Sequence, residues 1–309
     1  MNRVNGVGVA FCGGGFRSYA EVAALEDMER NGVKIGAVAG TSMGAAIAAL
    51  VGGGLNAAQV EQTLVDIDNH VVEQGYLSHI GLKLLGMVNG NGIINSNILQ
   101  DVVREFYGRL GIVHFSDFKM PVALPAQDLI SGDLCVFTND PEFFADEYGM
   151  WTCISQPDME VAPCIAASAS YPLFLTPTSY LGRTYIDGGC RMNLPTPLFA
   201  RNKVDAVVGV AMRRKFEPLK DVRPLPIMQR TVDYGADQLD RINASIADVF
   251  INLPVGGEAF GAGMSEQIIA EARRMMEENP VDWSSIQPDV LTAVKRAAKD
   301  VLARLARGA

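Results

Sequence analysis

The 309-residue sequence has no block of lysines and arginines, and its formal net charge is -9. An acidic chain without a basic stripe does not attract a phosphate backbone, so we do not expect nucleic acid as a partner. Hydrophobic residues make up 49% of the chain and charged residues 20%. This balance is typical of a globular protein and excludes a largely disordered one.

The five cysteines form neither a C-x-x-C pair nor a metal-ligand spacing. They are Cys12, Cys135, Cys153, Cys164 and Cys190. Their odd number indicates free thiols in a reducing compartment, and we expect no metal and no cofactor. Cys12 and Cys190 lie beside the two glycine motifs described below. We interpret both as small buried apolar residues rather than as redox groups.

The sequence also lacks a long uninterrupted apolar run. Residues 35–55 and 161–182 carry no charge, but glycines interrupt the first and prolines the second. Neither run therefore predicts a membrane-spanning helix. The amino terminus leads directly into a predicted strand, without the apolar region of a signal peptide. We expect a cytoplasmic protein, with peripheral, transient contact with a membrane surface as a further expectation.

Strand and helix signals alternate along the chain, which predicts an α/β fold around a parallel sheet. The first strand is expected at 6–11, the first helix at 18–30, and the second strand directly before residue 40. Later strands are predicted at 122–129, 134–137, 204–211 and 248–253, and helices at 97–107 and about 288–307. No repeat or shift in composition marks a boundary, so we expect a single domain over 1–309.

Residues 40–44 read Gly-Thr-Ser-Met-Gly, between a short apolar strand and a helix-forming run. In this setting the G-x-S-x-G pattern predicts a sharp turn with an exposed serine beside the positive end of a helix. Gly40 and Gly44 would allow the turn and bring the helix close to the strand. Ser42 is therefore the candidate nucleophile.

The loop after the first strand reads Gly13, Gly14, Gly15, Phe16, Arg17. Its backbone N–H groups can form a concave site for an anion, as an oxyanion hole requires. Arg17 braces this loop or meets a phosphate, or it is simply a surface arginine. A dinucleotide-binding loop is the rival interpretation, but the acidic residue expected near the end of the second strand is missing.

A serine nucleophile needs a base, and the sequence offers only three histidines, His70, His79 and His114. An α/β-hydrolase triad places its histidine last in the chain, so we interpret all three as surface or packing residues. Asp187, which ends a predicted strand and precedes Gly188 and Gly189, is the natural candidate. Two glycines after an acid can also simply make a turn.

Four landmarks together resemble the patatin-like phospholipase family, whose fold is similar to the catalytic domain of cytosolic phospholipase A2. They are the loop 13–17, the serine turn 40–44, the small-residue stretch 167–174 with its Pro-Leu-Phe ending, and Asp187-Gly188-Gly189 followed by Asn193-Leu194-Pro195. The resemblance covers about residues 7–211, and the remaining residues would add a strand and helices. It implies a three-layer fold with a mostly parallel sheet, and a Ser42–Asp187 dyad in which Asp187 is the base.

The resemblance predicts a serine acyl hydrolase that cleaves fatty-acyl esters of phospholipids or related lipids through an acyl-enzyme. An acyltransferase on the same dyad and a non-catalytic lipid-binding protein remain alternatives. A carboxylate base predicts activity below the histidine pH range unless burial raises its pKa. The family usually has glycine where this chain has Ser18, and we expect Ser18 to cap the helix that follows.

Two segments keep open interpretations. The apolar residues 76–99 either line an acyl-chain pocket, form a lid or belong to the core, and we favour the core. The predicted helix at about 288–307 has a basic face, which either packs with that face in solvent or touches anionic lipid. We favour packing.

Overall fold

The computed structural model describes residues 3–77, 94–146, 148–172, 174–219, 221–257 and 261–286. In chain order the strands are β1 (Val7–Phe11), β2 (Ile35–Gly40), β3 (Val122–Asp128), β4 (Leu134–Thr138), β5 (Thr152–Ile154), β6 (Thr178–Tyr180), β7 (Arg183–Asp187), β8 (Val207–Ala211) and β9 (Val249–Asn252). The helices are α1 (Glu21–Arg30), α2 (Met43–Gly52), α3 (Ala57–Glu73), α4 (Ser96–Arg109), α5 (Val161–Ala169), α6 (Gly189–Met192), α7 (Pro224–Ala244) and α8 (Ser265–Glu278). The predicted helix at 288–307 and most of the apolar segment 76–99 lie outside the described residues.

The strands form one sheet in the order β5-β4-β3-β2-β1-β8-β9, with β7 beside β3 and β6 beside β7. Neighbours from β3 through β9 along this path are parallel, whereas the pairs of β3 with β4 and with β7 are antiparallel. Every residue of β1, β3, β4 and β8 is buried. Helices flank the sheet, which explains why these strands are apolar on both faces. The predicted α/β fold with a mostly parallel central sheet is confirmed.

The edge of β3 that faces away from β4 sets the position of the candidate site. β4 pairs with β3 along Ala123–Gln127, and β2 and β7 share the opposite edge of β3. β2 runs parallel to the start of β3 and pairs Ala39 with Ala123. β7 runs antiparallel to the end of β3 and pairs Asp187 with Ala126. The carboxyl ends of β2 and β7 therefore meet head to head on the same edge of β3.

Helices were expected after residue 211, but the bounds of α7 and α8 were not predicted from the sequence. α8 packs on α1 and α3, and Arg273 forms ion pairs with Glu26 on α1 and with Glu61 on α3, each at 2.5 Å. α7 begins with prolines at its first turn, where the missing N–H groups cost nothing. It packs against α6, directly after the acid motif.

All five cysteines have free thiols. Cys12 is buried, as predicted, and burial raises the pKa of its thiol. Cys190 is only half-buried, so the prediction of a buried apolar residue is wrong for this position. Among the helices that the structure describes, none is long and apolar enough to cross a membrane.

Candidate active site

Ser42 lies at the turn between β2 and α2, with φ 57° and ψ -125°. A non-glycine residue at positive φ is strained and persists only where its surroundings fix it. The backbone N–H of Ser42 donates to the Ser168 hydroxyl at 3.0 Å, and the Thr41 hydroxyl donates to the Met192 carbonyl at 2.8 Å. These contacts hold the serine at the apex of the turn, at the N-terminus of α2.

The two glycines of the turn permit a close approach of backbones. A Cβ atom on Gly44 would lie 2.5 Å from the carbonyl oxygen of Phe11 and 2.8 Å from that of Cys12. A Cβ atom on Gly40 would overlap the Gly44 carbonyl. Only glycine at both positions therefore lets α2 start directly against the end of β1. The prediction made for Gly40 and Gly44 agrees with this geometry.

Asp187 is 2% exposed and lines the same cavity as Ser42, whose hydroxyl lowers the pKa of the Asp187 carboxyl. Its Oδ1 accepts from the Gly189 N–H at 2.6 Å, while the Gly188 N–H donates to the Ser168 carbonyl at 3.2 Å. Burial raises the pKa of Asp187 to about 6, and the hydrogen bonds from Gly189 and Ser42 oppose that rise. The carboxylate is therefore ionised at neutral pH, yet basic enough to take a proton.

The histidines do not take part in this arrangement within the described residues. The His70 ring contacts the rings of Tyr76 and Phe106, with centroids 6.0 and 5.4 Å away. His114 pairs with Glu160 in an isolated β-bridge. Neither histidine lines the cavities at Ser42. His79 lies outside the described residues.

The glycine loop after β1 presents some of its N–H groups and hides another. The Gly13 N–H donates to the Asn193 carbonyl at 3.2 Å, so it is not available to a ligand. The N–H groups of Gly14 and Gly15 have no acceptor among the described residues, and neither has that of Met43 at the start of α2. Gly15 has φ 58°, which glycine adopts without strain. Sequence reasoning missed Met43, although the residue after the nucleophile commonly supplies such a donor.

The other members of the loop support it. Phe16 is buried and its ring contacts that of Tyr19, with centroids 5.8 Å apart. The Arg17 Nε donates to the Gly14 carbonyl at 3.4 Å, which fits the bracing role, and burial lowers its pKa.

The prediction that Ser18 caps the next helix is wrong. A 3-10 turn spans Gly15–Ala20 and α1 begins only at Glu21, so Ser18 lies inside the turn. The Ser18 hydroxyl instead donates to the Cys12 carbonyl at 3.2 Å. In this way it ties the glycine loop to the end of β1.

Residues in the middle of the small-residue stretch hold the backbone of Ser42 and Asp187. α5 ends at Ala169, so the Pro-Leu-Phe ending of the stretch follows the helix rather than ending it. Ser168 at the last turn holds the Ser42 N–H, and the Ser170 carbonyl accepts from the Asp187 N–H at 3.0 Å. One helix end therefore fixes both candidate dyad residues, a role for Ser168 and Ser170 that the sequence did not reveal.

A buried carboxylate braces the site from α7. Asp240 accepts from Asn193 Nδ2 at 2.9 Å and from the Leu194 N–H at 3.1 Å. Burial raises the pKa of Asp240 to about 6, and the Asn193 bond opposes that rise. Because the Asn193 carbonyl also holds Gly13, α7 is linked to the glycine loop. Sequence reasoning missed Asp240, since no motif marks it.

Two cavities meet at Ser42. A polar cavity of about 350 Å³ is bordered by Arg17, Asp187 and Asp233. An apolar cavity of about 120 Å³ lies on the other side. Its apolar wall consists of Phe16, Met43, Ile67, Val71, Tyr76, Leu77, Ile94, Ile98, Leu99, Val102, Ala169, Phe174 and Leu175. Ser42 and Tyr171 border both cavities.

The apolar wall includes both described ends of the segment 76–99, for which the core was the favoured interpretation. Tyr76 and Leu77 line it from one end, and Ile94, Ile98 and Leu99 from the other. The remainder of the segment lies outside the described residues. Within the part of the chain that the structure describes, no group of three or more acidic, histidine or cysteine side chains is placed to hold a metal.

Several known proteins are similar in sequence to this chain. The family model of patatin-like phospholipase matches residues 9–200. YqhO of Bacillus subtilis is 30% identical over 224 residues, which are 69% of this chain and 74% of that protein. An NTE family protein of Mycobacterium tuberculosis is 24% identical over 220 residues, 71% of this chain and 52% of that protein. This chain thus spans about half the length of the mycobacterial relative.

Among solved structures, VipD from Legionella pneumophila aligns over 88% of this chain and 66% of its own, with 12% identity and a TM-score of 0.47. The family model covers well over half of the chain and both glycine motifs. The chain therefore belongs to the patatin-like phospholipase family.

Proposed function

We propose that this protein is a serine acyl hydrolase that cleaves fatty-acyl esters of phospholipids or related lipids. The observation that carries the proposal is the position of Ser42, where a polar and an apolar cavity meet beside a buried carboxylate. An amphiphilic ester has the matching shape, with an apolar chain on one side of the carbonyl and a polar group on the other. Family membership supports lipid acyl hydrolysis in general.

Asp187 would act as the base. In the first step the Ser42 hydroxyl attacks the ester carbonyl while its proton passes to Asp187. The tetrahedral intermediate collapses, the alcohol leaves with the proton from Asp187, and the acyl group stays on Ser42. Water then attacks the acyl-enzyme, again losing its proton to Asp187. The bond to Ser42 breaks, Asp187 returns the proton to the serine oxygen, and the free fatty acid is released. A pKa of about 6 suits a base that works near neutral pH.

The developing oxyanion would be stabilised by the N–H groups of Gly14, Gly15 and Met43. All three lack an acceptor among the described residues, and all three border the cavities at Ser42. Met43 also opens α2, so the positive end of the helix dipole adds to its effect. Preorganised donors of this kind are worth about 3 kcal/mol each when one is lost.

The test is labelling with a fluorophosphonate, located by peptide mass spectrometry, together with release of fatty acid from phospholipid in mixed micelles. We expect a phosphonyl adduct on Ser42, with loss of fluoride, in the wild-type protein. Ser42→Ala should lose both the adduct and turnover, and Asp187→Asn should lose nearly as much turnover because the two groups act as a unit.

Ser179→Ala is the matched control, since Ser179 is an exposed serine on β6 outside both cavities. It should keep the adduct and the rate. An adduct on another serine, or an Asp187→Asn variant with most of the wild-type rate, would contradict the dyad. Acyl ester formed on added glycerol in place of fatty acid would identify a transferase, and lipid binding without turnover a binding protein.

A further inference from the structure

The polar and apolar sides of α7 are reversed relative to those of an ordinary surface helix. Its buried side is polar, with Asp240 and Asn243 5% and 7% exposed and hydrogen-bonded to Leu194. Its solvent side is apolar, with Met228 65% and Ile242 51% exposed. A helix in water normally places its apolar stripe inward, so an outward stripe calls for a partner.

The apolar side chains are concentrated in one place. More than half of the large exposed apolar residues in the described part of the chain lie between residues 216 and 242. We call this set the α7 face: Phe216, Val222, Ile227, Met228, Val232, Tyr234, Leu239 and Ile242. Met228, Val232, Leu239 and Ile242 recur at the spacing of one helix side, and Ile227 and Tyr234 widen that stripe. It is wider than the narrow two-position seam of a coiled coil.

The α7 face continues into the polar cavity at Ser42. Val232 belongs to the face and also lines the polar cavity, together with its neighbours Asp233 and Ala236 on the same helix. A lipid held against this face would lie next to the polar cavity that contains Ser42. The face therefore adjoins the opening that an acyl-ester substrate would use.

Positive charge exceeds negative charge around the α7 face and the segment before it. Residues 212–242 contain seven Lys or Arg and five Asp or Glu, in a chain whose net charge is -9. Arg214 and Arg230 donate to the backbone carbonyls of Gly257 and Glu217, which carry no charge. The Arg230 guanidinium lies 5.1 Å from the centre of the Phe216 ring. Cations next to exposed apolar rings form an arrangement that is attracted to anionic lipid headgroups.

We propose that the α7 face and its cations dock this protein on the surface of an anionic lipid bilayer. The route of substrate from bilayer to Ser42 rests on the proposed function, whereas the docking itself does not. A second copy of the chain is the competing occupant. The local excess of positive charge in an otherwise acidic chain favours the anionic bilayer, whose headgroups it attracts.

The experiment measures vesicle co-sedimentation of the full chain in a Ser42→Ala background, so that binding is separated from hydrolysis. We expect binding to phosphatidylcholine vesicles that contain phosphatidylglycerol, and weaker binding to phosphatidylcholine alone. Added salt should weaken the binding to anionic vesicles. Met228→Gln with Ile242→Gln should lower the partition coefficient about tenfold or more, because both apolar side chains leave the lipid.

Val72→Gln with Ile130→Gln is the matched control, since both residues are exposed but lie on α3 and on the β3–β4 turn. It should bind as the Ser42→Ala parent does. Equal binding of all variants, or no binding by the parent, would overturn the proposal. So would a dimer, measured by light scattering, that dissociates in the Met228→Gln, Ile242→Gln variant.

Activity then separates docking from catalysis, measured with Ser42 restored. Met228→Gln with Ile242→Gln should hydrolyse a short water-soluble ester at the wild-type rate and vesicle phospholipid at about one tenth of it. Loss of turnover on both substrates would contradict a docking role. If Ser42 proves not to be the nucleophile, the co-sedimentation result still decides whether the face binds lipid.

Discussion

Asn193 connects α7 with the glycine loop, two elements that lie far apart in the sequence. Its Nδ2 donates to Asp240 on α7 at 2.9 Å, and its backbone carbonyl accepts from the Gly13 N–H at 3.2 Å. The same Nδ2 lies 3.3 Å from the Gly13 carbonyl. Asn193 and Asp240 are therefore positioning residues for the glycine loop.

Asn193→Ala should lower kcat about tenfold or more with little change in KM. The variant frees the glycine loop and leaves the buried Asp240 carboxylate short of a donor, which also costs about 1–3 kcal/mol of stability. Asn243→Ala is the matched control, because Asn243 bonds the Leu194 carbonyl from the same buried side of α7. It should lose comparable stability and keep kcat, measured by initial rates and urea unfolding.

Gly13→Ala and Gly14→Ala should differ sharply. A Cβ atom on Gly13 would overlap Asn193 Oδ1 and lie 3.0 Å from the Ser42 Cβ, so we expect kcat to fall about 100-fold or more. A Cβ atom on Gly14 would meet the end of the flexible Met212 side chain at 2.6 Å and the Ser18 hydroxyl at 3.2 Å, and the N–H donor remains. That variant should stay within about tenfold of wild type. Equal losses in the two variants would contradict the assigned roles.

The rate should fall as the pH drops through about 6, because protonated Asp187 cannot act as a base. Burial thus moves the acid limb into the range where a histidine would titrate, so the position of the limb alone does not identify the base. A variant with His70→Gln, His79→Gln and His114→Gln should keep the limb in its kcat/KM profile. A limb that disappears in this variant would exclude Asp187 as the titrating group.

Asp187 and Asp240 should make the protein less stable at neutral pH than at pH 4. Burial raises the pKa of each to about 6, so the folded state holds these protons more tightly than the unfolded chain. The stability they add is present below about pH 4 and is lost as the pH rises through about 6. Asp187→Asn should therefore raise the free energy of unfolding at pH 8 by roughly 3 kcal/mol. At pH 4 it should have little effect, and an exposed control, Asp158→Asn, should have little effect at either pH.

Ile98→Trp should shorten the acyl chains that the protein accepts. Ile98 lines the apolar cavity of about 120 Å³ beside Ser42, and a larger side chain would fill part of it. We expect the rate on long-chain p-nitrophenyl esters to fall about tenfold or more while the butyrate rate holds. Leu110→Trp, at an exposed position just past α4, should leave both rates unchanged. Parallel losses on both esters would indicate a general defect in folding.

The sequence predicted what depends on local pattern. The serine turn and the two strands before it carry their own apolar runs and glycines, so β1, β2 and α2 were predicted close to their observed bounds. α7 escaped prediction because its apolar residues face solvent and its polar residues face inward, which reverses the usual pattern.

Long-range contacts explain the remaining differences at the candidate site. Nothing near Gly13 in the sequence indicates that its N–H is taken by the Asn193 carbonyl. The helix-cap rule predicted that the first helix starts at Ser18, but a 3-10 turn comes first and α1 starts only at Glu21. The donor at Met43 follows from a local rule that was not applied.

With the proposed Ser42–Asp187 dyad, the head-to-head meeting of β2 and β7 on β3 makes turnover depend on strand register. If β7 slipped by one residue along β3, Asp187 would move by about 3.3 Å and its side chain would point to the opposite face of the sheet. A chain misfolded in this way could keep its helix content and most of its compactness, yet it would lose the contact with Ser42. Turnover therefore reports correct pairing at this edge, which makes it a sensitive monitor of refolding where circular dichroism would register little change.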